Sequence, residues 1–116
     1  MRNDKENVIV KLTLEFALEI IEYSELLEEK RKYVIARQIL KSGTSIGANA
    51  REAQNAESKA DFIHKMKIAA KEADETEYWL LLCLLSKSYP KNEQLFDKLN
   101  IIIKILSKII STSKVD

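Results

Sequence analysis

A chain of 116 residues with two glycines and one proline falls well below average usage, roughly 8 and 6, for the residues that tight turns most require. With 46% hydrophobic and 32% charged residues, the composition excludes a many-turned β-sandwich, a collagen-like chain and a disordered tail. The 19 basic and 18 acidic residues leave a net charge of +1, which gives a nucleic-acid binder no support from bulk charge. One domain is expected over residues 1–116.

The opening segment Met1–Glu6 has mixed charge and no following apolar stretch of the signal-peptide kind. A first helix is predicted over about 8–27, where Ile9, Leu12, Phe16, Ile20, Tyr23 and Leu27 share one stripe and Glu15, Glu19 and Glu22 lie opposite. The charged run 28–32 makes the first connection and contains no glycine.

The second helix is predicted over about 33–55. Ile35, Ile39, Ser42, Ile46, Asn49 and Ala53 recur at four- and three-residue steps straight through Ser42-Gly43-Thr44, so one helix with a weak middle is expected rather than a break. Each interior glycine costs about 1 kcal/mol against alanine. Gly43 and Gly47, with Ala36 and Ala50, line one flank; small residues at this spacing let two backbones approach closely. That approach could serve a subunit interface or packing within the bundle.

The third helix is predicted over about 59–86, opened by a capping box from Ser58 and Asp61. Phe62, Met66, Ala69, Ala73, Leu80 and Leu84 form its stripe. Glu77 lies about 20° from Met66 on a helical projection. A carboxylate there needs a partner, with Arg51, Lys59, Asn49 and the sole histidine, His64, as candidates. It reads either as an active-site acid or, preferably, as part of a structural polar network. Cys83, the only cysteine, sits in the seven-residue apolar run 79–85 and reads as a small core hydrophobe. That run is far too short for a membrane span, and a soluble cytoplasmic protein is the expectation.

The fourth helix is predicted over about 91–112, with Pro90 suited to its first turn. Leu95, Leu99, Ile103, Leu106 and Ile110 cluster within roughly 40° of one direction, while Ile102, Ile109, Ile105 and Ile101 spread to about 160° from it. This arc is about twice that of a helix with one buried face. Ile101, Ile105 and Ile109 are therefore expected at an oligomer interface; the alternative is deep burial in the same bundle. Together the four helices predict an all-α, up-down-up-down four-helix bundle.

Catalytic motifs are lacking. A di-iron bundle needs two Glu-x-x-His motifs, and a zinc site of the usual type needs more than one Cys and one His. Gly43-x-x-x-Gly47 lacks the Lys-Ser/Thr of a phosphate loop. No enzyme activity, cofactor, metal or small-molecule substrate is expected.

The segment 37–53, with Ser45-Ile46 and Asn49, resembles the second helix of the bacterial four-helix-bundle proteins encoded in intervening sequences of 23S ribosomal RNA genes; the accessory variability proteins of diversity-generating retroelements are similar in fold. Ser58-Lys59 with Phe62 and Glu75-x-Glu77 resemble further family motifs, so the resemblance spans about residues 37–80. Two departures stand out: Gly47 replaces a frequent proline and Ala53 a frequent glycine. The resemblance implies a ring, a homopentamer of this chain, with no known catalysis and a structural or adaptor role. For retroelement relatives it implies RNA or DNA contact through a basic ring surface, which would fall here on Lys98, Lys104, Lys108 and Lys114. A solvated helix face explains those lysines equally well.

Overall fold

The computed structural model describes residues 7–114. The reading of Met1–Glu6 lies outside them. Four α-helices follow in order, α1 (Val8–Glu29), α2 (Tyr33–Ala53), α3 (Lys59–Leu85) and α4 (Glu93–Ser113). Neighbours in sequence pack against each other and α4 closes back on α1, which makes a four-helix bundle.

Three of the helices begin at polar caps. The Asn7, Ser58 and Asn92 side chains accept from the backbone N–H groups of Val10, Asp61 and Leu95 at 3.2, 3.0 and 3.0 Å, each satisfying an otherwise orphaned donor. The box at α3 is displaced by one residue. Asp61 accepts from Glu57 N–H at 3.1 Å, and its ion pair with Lys65 at 2.8 Å holds its carboxyl below the ordinary value. Pro90 does not open α4. The helix starts three residues later at Glu93, because Asn92 supplies the cap and Pro90 instead offers its carbonyl to the Tyr23 hydroxyl at 2.7 Å.

The glycine-free first connection closes by a Schellman turn. Lys32 N–H donates to the Leu27 carbonyl at 2.8 Å and Arg31 N–H to that of Glu28 at 2.9 Å. Such a turn needs one left-handed residue, and here it is Arg31, with φ 64°. A residue with a Cβ pays for that conformation. Arg31→Gly is expected to raise stability by about 0.5–1 kcal/mol, read as a higher midpoint in urea unfolding with an unchanged slope.

The helix predicted through Ser42-Gly43-Thr44 is continuous. Its compensation lies in the neighbouring helix. A Cβ on Gly43 would stand 2.9 Å from Ile20 Cγ1 and Cγ2, and one on Gly47 would stand 3.2 Å from the Thr13 carbonyl oxygen. The two glycines thus let α2 approach α1 of the same chain. On the other side of α2, Thr76 Oγ1 donates to Ser42 Oγ at 2.8 Å. Both groups are buried, so this bond satisfies a polar pair inside the core.

The core is aliphatic. Phe16, Ile20, Leu27, Ile39, Ile46, Met66, Leu95, Leu99, Ile102 and Leu106 are all buried. Cys83 is buried among them, and burial raises its thiol pKa. Lys91 closes the C-terminal end of α3, donating to the carbonyls of Cys83 (2.9 Å) and Ser86.

Candidate interaction surface

The outer face of α4 is narrower than its apolar arc suggests. Ile101 is 55% exposed, but Ile105 and Ile109 are half-buried against the core of their own chain. Gly43 is also buried, facing Ile20. Of the five residues expected at an interface, only Ile101 is exposed; Gly47, Ile105 and Ile109 are half-buried and Gly43 is buried. The rest of the α4 arc is filled because Ile102 and Leu106 point at the bundle centre while their flanking isoleucines cover its edges.

The four residues expected in a polar network, Asn49, Arg51, Glu75 and Glu77, sit in different surroundings. Asn49 donates to the Ser45 carbonyl of its own helix at 2.8 Å. Glu75 is exposed beside Glu72, and burial with the Glu75 charge raises the Glu72 pKa. Glu77 is only half-buried. The buried face of α3 runs through Ala69, Ala73, Thr76, Leu80 and Cys83, which centres it about 60° from Met66 and leaves Glu77 at the rim. Arg51 is exposed on α2. His64 is exposed as well. Among the described residues no group of three or more His, Cys, Asp or Glu is placed to hold a metal ion, and no helix is long and apolar enough to cross a membrane.

Of the four lysines, Lys98 is engaged by Glu19 at 2.7 Å, an ion pair bridging α4 and α1. It spans a shallow groove of about 90 Å³ lined by Leu12, Phe16, Ile101 and Ile102. Lys104 and Lys108 stand one turn apart and exposed on the outer face of α4, and Lys114 is exposed at its C-cap.

An exposed apolar surface lies elsewhere, on the α1–α2 hairpin. Leu14, Leu18 and Ile21 of α1 are 55%, 57% and 40% exposed, and Leu40 of α2 is 39% exposed. Beside them a groove of about 210 Å³ runs between the helices, lined by Val10, Thr13, Leu14, Ala17, Gly47 and Arg51. Sequence reading passed over this face. Its signal was present: Leu14, Leu18 and Ile21 recur at four- and three-residue steps on the side of α1 away from the stripe chosen as core. Contiguous exposed aliphatic side chains on a small domain mark a contact surface.

The family model for the 23S rRNA-intervening sequence protein matches residues 5–111. The chain belongs to that family. A solved structure is similar over most of its length. It is the crystal structure of a protein of unknown function from the S23 ribosomal protein family of Bacteroides thetaiotaomicron, with a TM-score of 0.83 and 46% identity. The match covers 89% of this chain and 98% of that one. No curated protein matches. The family match extends well beyond residues 37–80, where the sequence motifs lie, and takes in α1 and nearly all of α4. The exposed hairpin face lies within the matched residues.

Proposed function

We propose that this member of the intervening-sequence family is a non-enzymatic building block that assembles with copies of itself in a structural or adaptor role, in the homopentameric ring that the resemblance implies. The observation that carries this reading is the outward band of Leu14, Leu18, Ile21 and Leu40, each more than a third exposed. Covering such side chains returns about 25 cal/mol per Å² of apolar surface removed from water.

Light scattering at micromolar concentration tests it. The native chain is expected at five times its 13.3 kDa mass. Leu14→Glu combined with Leu18→Glu is expected to yield a helical monomer, because two carboxylates would be desolvated without partners in the contact. Both side chains face solvent in the single chain, so its fold should survive. A native monomer would refute the reading.

A second reading, contact with RNA or DNA, draws support from Lys104 and Lys108, exposed one turn apart. A ring would repeat that pair in every subunit. Binding to a structured RNA that falls steeply with added salt would favour it; no binding at low salt would remove it.

A further inference from the structure

We infer that the outer face of α3 docks an amphipathic helix of a different protein, one that sets apolar side chains on Tyr78, Leu81 and Leu85 and lysines or arginines on Asp74 and Glu75. This gives the adaptor role proposed above a docking surface, and it does not depend on self-association.

The apolar part of the face is a ridge. Tyr78, Leu81 and Leu85 are 56%, 39% and 73% exposed. On a helical projection they fall within about 60° of each other and roughly 150° from the centre of the buried face of α3. Two turns of the helix therefore present aliphatic and aromatic surface to water. Among the described residues α3 packs on α2 and α4 but not on α1, so the ridge lies across the bundle from Leu14, Leu18 and Ile21. The Tyr78 ring meets Trp79 edge-on at 5.5 Å, and Trp79 packs against the core. A tyrosine braced in this way loses little freedom when covered, and such aromatic anchors carry much of the energy of a contact.

Charge selects the partner. Asp74 and Glu75 stand one turn before Tyr78, and Glu77 one turn before Leu81. Asp74 and Glu75 are exposed and Glu77 is half-buried. Among the described residues none of the three forms an ion pair. Glu75 also crowds the half-buried Glu72, whose carboxyl is pushed up by burial and by the Glu75 charge; Lys41 and Lys71 offset this only in part. A cation brought from outside would relieve that crowding. Apolar anchors at steps of three and four residues, with carboxylates one turn beyond, match a helix laid along α3 that carries its own cations one turn beyond its apolar stripe. The phosphates of a nucleic acid would be repelled here. The α1 edge of the hairpin band in another copy fits poorly, because Glu22 and Glu25, exposed beside Leu18, would meet these carboxylates.

The probe is a dye-labelled synthetic helix of leucine and lysine at helical spacing, about five turns long, compared with the same helix carrying glutamate in place of lysine. By fluorescence anisotropy the native chain is expected to bind the lysine helix at micromolar concentration, and the glutamate helix at least about tenfold more weakly. Trp79 is the sole tryptophan, so with unlabelled peptide its emission should shift over the same concentration range, which locates the helix on α3. Tyr78→Ala with Leu81→Ala should weaken the lysine helix at least about tenfold. Asp74→Lys with Glu75→Lys should reverse the preference between the two helices. Circular dichroism should match the native chain, since all four side chains are exposed. Absence of binding, equal affinity for the two helices, or variants that bind as the native chain does would overturn the inference. So would a smaller assembled mass of the alanine variant by light scattering, since the face would then belong to a contact between copies. Binding of the lysine helix by a native chain that proved monomeric would support the inference while refuting self-association.

Discussion

Gly43→Leu is expected to destabilise the bundle by about 2–3 kcal/mol, the upper part of the range for forcing extra methylenes into a filled core. Any Cβ at this position would stand 2.9 Å from Ile20 Cγ1 and Cγ2. Ile20 is itself completely buried, so it has no solvent-facing rotamer to escape into. The substitution gains about 1 kcal/mol of helix propensity, and that gain is overridden. Reversing the sign gives the sharper test. In an Ile20→Ala background the space opposite Gly43 is vacated, and Gly43→Ala should then stabilise relative to that background by up to about 1 kcal/mol. Urea unfolding of the four corners of this cycle measures the coupling directly. If Gly43→Ala were equally favourable in both backgrounds, the close approach of α2 to α1 would not be what selects glycine.

Leu99→Ala should cost about 3–5 kcal/mol, within the upper part of the range for burying a cavity in place of a leucine. Leu99 is fully buried in the second turn of α4, between Leu95 and Ile102. That loss is a large fraction of the 5–15 kcal/mol that typically holds a domain together. The effect should be uneven along the chain. On the α1 side, α4 leaves an open groove at Phe16 and Ile101, crossed by the Lys98–Glu19 pair. Hydrogen exchange in the variant is expected to accelerate first in α4. Exchange that rises equally in all four helices would show that α4 has no weaker attachment than the others.

These outcomes depend on neighbours that the sequence does not display. The periodicity of α2 carried the helix across Gly43 correctly, but it could not say whether the small flank faced α1 or another subunit. Capping was legible because it is local: Ser58 and Asp61 lie within one turn of each other, and the box formed with a shift of one residue. Pro90 was misplaced for the same reason in reverse, since its carbonyl answers to Tyr23, distant in sequence. Glu77 was set too near the core because one residue, Met66, served as the reference for a face that is centred elsewhere.

The candidate surface was less legible than the fold. Both α1 and α4 carry apolar residues over more than one face. In α4 the surplus apart from Ile101 went inward, with Ile105 and Ile109 resting on the core. In α1 it went outward, leaving Leu14, Leu18 and Ile21 exposed. Composition and period are alike in the two cases. What separates them is the rotation of each helix about its own axis.

The sequence by itself determined that four helices form, where the third is capped, and which residue types fill the core. Those properties arise from steps of three and four residues and from hydrogen bonds within a single turn. Only the tertiary structure decided which apolar face of α1 meets water and what Gly43 accommodates. A helix buries the face its neighbours can interlock with, and that choice is made between helices, not along one.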